Sequence, residues 1–168
     1  MGKNYIYALI FSLGIGNPIR GGVAMNICFA SDKNSLKNLT LDSVQGFYEV
    51  FLPLPEHVDV LVLSGDSDVS EYVNRNIDTC IFDSNYAMKV LELKNVNSAI
   101  SCGMQDIDSV TFSSISEDSA LVCIRRKLVF NNMLIEPCEF KACFNRRFGI
   151  FQNLVISLID FLSNNKGD

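Results

Sequence analysis

The chain has 168 residues, of which 48% are hydrophobic, so it is long enough to form a domain with an apolar core and does not have the composition of a disordered protein. Its net charge of −5 arises in residues 1–107, where 12 Asp and Glu outnumber 7 Lys and Arg, whereas residues 108–168 hold 7 of each. An acidic first part repels phosphate backbones, which argues against a nucleic-acid partner. The apolar run Tyr5–Leu13 is far shorter than the roughly 20 residues of a membrane span, so we expect no membrane partner.

The first two thirds of the sequence alternates between strand and helix patterns. Tyr5–Leu13 is continuously apolar, which predicts a buried strand at the centre of a parallel sheet, and Gly21–Ala30 predicts a weak helix. The remaining predicted strands are Phe47–Leu54, Val58–Ser64, Ile77–Phe82 and Ser98–Cys102, and the remaining predicted helices are Asp68–Asn74, which opens with a capping-box pattern, and Tyr86–Leu93.

The pattern changes near residue 108. Closely spaced strand patterns at Ser109–Ser113, Ala120–Phe130 and Met133–Phe140 predict antiparallel hairpins, and an amphipathic helix is predicted at Phe148–Ser163. No internal repeat is evident. We therefore predict a single Rossmann-like α/β domain over residues 1–168, with a mostly parallel sheet in residues 1–107 and an antiparallel hairpin extension plus a C-terminal helix in residues 108–168.

The cysteines indicate a reducing environment. Several of them lie inside apolar runs, as in Ile27-Cys28-Phe29, which predicts buried free thiols and a cytoplasmic location. No Cys-x-x-Cys motif occurs and His57 is the only histidine, so we expect no metal site. His57 lies in a predicted loop and is expected to be solvated.

A glycine turn after the first strand is the first candidate ligand site. Gly14, Gly16 and Asn17 permit tight backbone geometry, and Arg20 could clamp an anion. Ile19 occupies the place of the third glycine of a dinucleotide fingerprint, and the phosphate-loop spacing with Lys-Ser/Thr is absent. The alternative is a sharp structural turn with a surface arginine.

A second candidate site lies where the predicted parallel strands end. Ser64, Asp66 and Asp83 follow two of these strands, and the carboxyl ends of parallel strands meet at one edge, where we also expect the turn at Gly14. The carboxylates could bind a cation or ribose hydroxyls. The alternative is helix capping, for which Asp and Ser are preferred residues.

Cys102 and a group of cations are two further candidates for function. Cys102 could act as a nucleophile only with a nearby base, so a core thiol is the favoured interpretation. The cations Arg125, Arg126, Lys127, Lys141, Arg146 and Arg147 could grip an acidic partner, including the first part of this chain, or form a solvated edge.

The segment Leu13–Gly21 resembles the opening of hydrogenase-maturation peptidases, which are α/β proteins that hold a metal with acidic residues and a histidine. In that family an acidic pair follows the arginine-glycine step. Gly22 and Val23 stand there in this chain, so the peptidase chemistry is not carried over.

A longer part of the chain is similar to the later half of the central domain of Mur ligases. The similarity runs through Val60–Asp66 and Ser98–Gly103, the following hairpins, and Arg146–Leu154. Asn153 stands at a place comparable to an asparagine near the start of a helix in that family. The family's ATP-binding loop is missing, so the resemblance implies a remnant without ligase chemistry.

The sequence favours a non-catalytic cytoplasmic domain that binds a small polar or anionic ligand or a protein partner. One alternative is a small metal-dependent hydrolase or transferase that uses Asp66 and Asp83. Another is a structural or assembly subunit that forms a homo-oligomer. The sequence leaves the identity of any cofactor unknown.

Overall fold

The computed structural model describes residues 7–13, 23–30, 47–51, 55–65, 67–130 and 133–164. In these residues eleven strands, a 3-10 helix and an α-helix follow one another along the chain. They are β1 (Tyr7–Leu13), β2 (Val23–Phe29), β3 (Phe47–Phe51), β4 (His57–Leu63), β5 (Asn76–Asp83), the 3-10 helix Ser84–Glu92, β6 (Asn95–Cys102), β7 (Val110–Ile115), β8 (Ser119–Ile124), β9 (Leu128–Phe130), β10 (Met133–Ile135), β11 (Cys138–Cys143) and α1 (Ile150–Asn164).

The nine strands of the main sheet lie in the order β11-β8-β7-β6-β5-β4-β2-β1-β3, and β9 and β10 form a separate antiparallel pair. In the main sheet of the described residues, only β1 and β8 run against the common direction of the other strands. The predicted α/β class is confirmed, with a mostly parallel sheet, an antiparallel extension and a C-terminal helix.

The predicted position of the first strand is wrong. β1 is antiparallel to both of its neighbours, β2 and β3, and it lies next to the last strand of the sheet rather than at its centre. Leu13 pairs with Val23, so β1 ends at the edge of the sheet where β2 begins. A continuous apolar run predicts burial on both faces of a strand, but it carries no information on strand direction.

The helix predicted at Gly21–Ala30 is a strand. β2 places Ile27 and Phe29 in the core on one face of the sheet and Cys28 and Ala30 in the core on the other. This alternation has the two-residue period of a strand, whereas the apolar spacing is also compatible with a short helix.

The helix predicted at Asp68–Asn74 is a series of turns. Asp68 accepts a hydrogen bond from the backbone of Ser70 at 2.9 Å, and the Tyr72 and Arg75 amides bond to carbonyls three residues earlier. Val69 and Tyr72 are buried against the sheet. An aspartate that bonds two residues ahead forms an Asx turn, which competes with helix initiation.

Both faces of the sheet are covered around β4 and β5. On one face Val60, Ile81 and Ile100 pack in a core that includes Leu154 and Leu158 of α1. On the other face Leu61 and Cys80 belong to a core that the turns of residues 67–75 and Leu93 complete. Two covered faces explain why the strands read as nearly continuous apolar runs.

The three parallel strands β4, β5 and β6 pair with a constant offset. His57, Asn76 and Asn95 are partners in adjacent strands, and partners along these strands lie 19 residues apart in sequence. The segments that connect these strands differ in structure: turns join β4 to β5, and a 3-10 helix joins β5 to β6. The equal offset is therefore a property of strand register and not an internal repeat.

Candidate functional site

Four polar side chains occupy one register position across four neighbouring strands. Ile27, Val60, Thr79 and Ser98 are successive cross-strand partners in β2, β4, β5 and β6. The residue before each of them is polar, and these four residues form what we call the polar row: Asn26, Asp59, Asp78 and Asn97.

The side chain of Asp59 reaches the backbone of the neighbouring strand. Val58 packs in the same core as Leu61 although strict alternation would place it with Val60, so the alternation is interrupted at this point. Asp59 Oδ2 accepts a hydrogen bond from the Asn26 amide at 2.7 Å, and Asn26 Oδ1 accepts one from the Asp59 amide at 2.9 Å. This reciprocal pair fixes the Asp59 carboxylate.

His57 completes the cluster. Its Nε2 lies 2.9 Å from Asp78 Oδ2 and 3.5 Å from Asp59 Oδ1. The His57 side chain is 52% exposed, whereas those of Asp59 and Asp78 are 17% and 15% exposed. His57 is accessible to solvent as expected, but it is held by two carboxylates rather than simply solvated.

Each carboxylate of the cluster divides its two oxygens between two tasks. Asp59 bonds to Asn26 through Oδ2 and faces His57 through Oδ1, while Asp78 accepts from Asn97 Nδ2 through Oδ1 at 3.0 Å and faces His57 through Oδ2. Hydrogen bonds of this kind orient metal-ligating side chains before an ion binds.

The three facing atoms have the spacing of a metal-ligand set. The ligand atoms of His57, Asp59 and Asp78 all lie within 4.8 Å of one another. Ligands bound at about 2.0–2.2 Å from one ion are roughly 3.0–3.4 Å apart, which agrees with the separations that His57 makes. The 2.9 Å separation is also that of a hydrogen bond between His57 and Asp78, which a bound cation would replace.

The cluster lies near the amino ends of the parallel strands, away from the predicted edge. Ser64 and Asp83 are at the carboxyl ends of β4 and β5, where they were expected. The expectation that β1 ends at that same edge is wrong, because Leu13 pairs with the first residue of β2. The predicted site residues Gly14, Gly16, Asn17, Arg20 and Asp66 lie outside the described residues.

Asp83 and Ser64 make local hydrogen bonds at their edge. Asp83 Oδ1 accepts from the amide of Asn85 at 3.0 Å and from its side chain at 2.9 Å, which caps the 3-10 helix. The Ser64 amide donates to Ser67 Oγ at 2.8 Å. Asp83 thus does what the capping alternative predicted.

The same edge holds a buried aspartate that sequence reasoning missed. Asp108 is fully buried, and its Oδ2 accepts from the Gln105 amide at 2.7 Å and from Ser84 Oγ at 3.2 Å. No partner for Asp108 Oδ1 is found among the described residues. Asp108 directly precedes a predicted strand, a position at which the sequence gives no sign of burial.

The cysteine predictions are confirmed in part. All six cysteines are free, and Cys28, Cys80 and Cys102 are buried, whereas Cys143 is exposed. Burial raises the pKa of the Cys102 thiol, and the nearby Asp108 and Asp83 carboxylates raise it further. A buried thiol that resists ionisation is a core residue and not a nucleophile.

Several of the predicted cations bind this chain's own surface. Arg125 donates to the Gln105 carbonyl at 2.9 Å, Arg126 donates to the Ile107 carbonyl, and Lys127 lies 2.8 Å from Glu136. The first two contacts are with backbone carbonyls rather than acidic side chains, and all six predicted cations are exposed, as the solvated-edge alternative holds.

Comparison with protein-family models, curated proteins and solved structures finds no match for this chain. The resemblances to Mur ligases and to hydrogenase-maturation peptidases therefore stay predictions. Among the described residues, the helices are too short or too polar to cross a membrane.

Sequence reasoning missed the polar row because its members are distant in sequence. Asp78 lies 21 residues after His57 and 19 residues before Asn97. Aligning the apolar runs of β4, β5 and β6 would have shown an acidic or amide residue third in each strand. The lone histidine two positions before the first of these is the remaining signal.

Proposed function

We propose that this chain is a binding domain that takes up a divalent transition-metal cation at His57, Asp59 and Asp78. The observation that supports it is the pair of separations of 2.9 Å and 3.5 Å between His57 Nε2 and the two carboxylates. The proposal retains the expectation of a non-catalytic domain, but it moves the ligand from the glycine turn to His57, Asp59 and Asp78 and replaces the expectation of no metal site.

The donor set suggests the class of cation. One imidazole nitrogen and two carboxylate oxygens suit Mn²⁺ or Zn²⁺ better than Ca²⁺, which takes six or more oxygen ligands, or Cu⁺, which takes sulfur. His57 is half-exposed, so water would complete the coordination. The anchored oxygens of Asp59 and Asp78 lower the cost of ordering the site.

The test is a calorimetric titration of the chelator-treated protein with Mn²⁺. Mn²⁺ is chosen because it prefers oxygen and nitrogen ligands, so the exposed thiol of Cys143 does not interfere. We expect one ion per chain, and at 100 times the dissociation constant the ion should add about 2.7 kcal/mol to the free energy of unfolding.

Variants separate this site from nonspecific binding. His57→Gln and Asp78→Asn should each weaken Mn²⁺ binding by about tenfold or more, because each removes one ligand of the set. Asp106→Asn removes a fully exposed carboxylate outside the cluster and should leave the affinity unchanged. Equal affinity in His57→Gln and the wild type would contradict the proposal.

A second candidate function is assembly into a homo-oligomer. Met88 and Leu91 of the 3-10 helix are 74% and 75% exposed, and their spacing places them on the same side of a helix with three residues per turn. Light scattering tests it: an oligomer that Leu91→Ser dissociates would support this function, and a strict monomer would remove it.

The enzymatic alternative rests on residues that the polar row does not include. Asp83 is engaged in capping the 3-10 helix, and Asp66 lies outside the described residues. A hydrolase or transferase built on this pair therefore stays a prediction. We also propose the cytoplasm as the location, and the free state of the six cysteines supports it.

A further inference from the structure

A cleft of about 550 Å³ lies between the end of β11, the turn from β7 to β8 and one face of α1. Its volume falls within the range of small-molecule sites in proteins. It is formed by residues of the second part of the chain, whereas the polar row lies in β2, β4, β5 and β6. The cleft is thus separate from the proposed cation site.

One wall of the cleft is a loop that a buried asparagine holds rigid. Asn153 is 3% exposed, and the two N–H groups of its Nδ2 are shared among the carbonyls of Asn145, Phe148 and Gly149 at 3.0, 3.2 and 3.0 Å. Its Oδ1 accepts from the Asn145 amide at 2.9 Å. These bonds fix the backbone of the two arginines that lie between Asn145 and Phe148.

The two arginines of this loop have different surroundings. Arg146 donates from Nε to the Glu117 carbonyl at 3.2 Å, and its Nη2 lies 3.5 Å from Glu117 Oε1. Arg147 is anchored through its backbone amide, which donates to Asn145 Oδ1 at 3.0 Å. Its guanidinium forms no hydrogen bond or ion pair with the residues that the structure describes, so it is a cation available to a ligand.

The other walls restrict the charge and the shape of a ligand. Phe144, Phe148 and Ile156 contribute half-buried apolar surface, and Asp118 and Asp160 contribute carboxylates. Two carboxylates repel any anion, but they repel a multiply charged one such as a phosphate ester more strongly than a singly charged one. The Arg147 guanidinium, by contrast, can pair with one carboxylate of a ligand through two parallel hydrogen bonds.

We infer that the cleft binds a small monocarboxylate with an aromatic or branched aliphatic body. The carboxylate pairs with Arg147, and the apolar body packs against Phe144, Phe148 and Ile156. The rigid loop holds the arginine backbone in place before binding, which lowers the entropic cost of association.

The experiment compares matched pairs of probes by calorimetry. Phenylacetate and 4-methylpentanoate should bind saturably. Their neutral amides should bind at least about tenfold more weakly, because they lack the charge that pairs with Arg147. Inorganic phosphate should bind more weakly than either carboxylate. Equal binding of the acids and their amides, no binding of either acid at millimolar concentration, or tighter binding of phosphate would overturn the inference.

Variants locate the binding in the cleft. Arg147→Gln should reduce the affinity for phenylacetate by about tenfold or more. Lys141→Gln, which removes an exposed cation of β11 outside the cleft, is the matched control and should retain the affinity. His57→Gln should also retain it, since the cation site is separate. Unchanged affinity in Arg147→Gln would contradict the inference.

Discussion

Gly103 and Asp108 approach so closely that a Cβ atom on Gly103 would lie 2.6 Å from Asp108 Oδ2. The same atom would lie 2.6 Å from Ser84 Oγ, which donates to that carboxylate. Asp108 is fully buried, and it joins the start of the 3-10 helix to the loop after β6. The glycine is therefore required by space and not by backbone conformation.

We predict that Gly103→Ala lowers the free energy of unfolding by about 1–3 kcal/mol, because a methyl group forces apart a buried carboxylate and its donor. Urea denaturation at neutral pH measures the change. Gly149→Ala is the control: the contact there is with the end of the flexible Gln152 side chain, which can move away. The same loss of stability in both variants would show that the steric argument is wrong.

The reciprocal pair between Asn26 and Asp59 leads to a second stability prediction. Asn26→Ala removes the acceptor of the Asp59 amide and should cost about 1–3 kcal/mol, because that amide lies in a central part of the sheet. Asn97→Ala removes the hydrogen bond from Asn97 to Asp78 at the other end of the polar row. Because Asn97 is exposed, this variant should cost less than about 1 kcal/mol. Chemical denaturation of the two variants checks this order, and a larger loss in Asn97→Ala would contradict it.

Much of the fold could be predicted because burial leaves a direct trace in the sequence. The apolar runs of β4, β5 and β6 and the amphipathic pattern of α1 predicted elements that the structure contains. The direction of β1 could not be predicted, because an apolar run reads the same in a parallel or an antiparallel strand. The turns at Asp68 could not be predicted either, since the same aspartate can begin a helix or accept a hydrogen bond from Ser70.

The candidate site was harder to predict because it depends on strand register. His57 and Asp78 are 21 residues apart and meet only when β4 and β5 pair in register. Ligands commonly bind at the carboxyl ends of parallel strands, and that rule pointed to Asp83, which instead caps the 3-10 helix. Composition and local pattern do not distinguish a capping carboxylate from a ligand-binding one.

Buried thiols predict how stability changes in alkaline solution. Burial raises the pKa of the Cys80 thiol from 9.0 to about 12. As the pH rises, the unfolded chain loses the Cys80 proton before the folded protein does. The free energy of unfolding is therefore unaffected by this thiol below a pH of about 9, and it falls by ~1.4 kcal/mol per pH unit as the pH rises toward 12. Cys28 and Cys102 are buried thiols with raised pKa as well, so urea denaturation in reducing buffer between about pH 8 and pH 11 should show a slope at least this steep.

The slope can be assigned to the thiol by substitution. Cys80→Ala should reduce the alkaline loss of stability, whereas Cys143→Ala, which removes an exposed thiol, is the matched control. Cys28 is also buried, and its pKa is raised to about 12 by burial and by the Asp59 carboxylate, so the wild-type slope should exceed that of the Cys80→Ala variant without vanishing in it. An unchanged slope in Cys80→Ala would refute the assignment.

Asn153 links the stability of the C-terminal part to the proposed binding cleft. Asn153→Ala leaves the Asn145 amide and three loop carbonyls without this partner, so we expect a loss of about 2–4 kcal/mol in the free energy of unfolding. Gln152→Ala, on the same turn of α1, should cost less than about 1 kcal/mol because Gln152 is only half-buried.

Calorimetry at a temperature where both variants are folded should then show weaker phenylacetate binding in Asn153→Ala alone, since the loop that carries Arg147 is no longer held in place. Wild-type stability in Asn153→Ala would mean that these hydrogen bonds do not fix the loop.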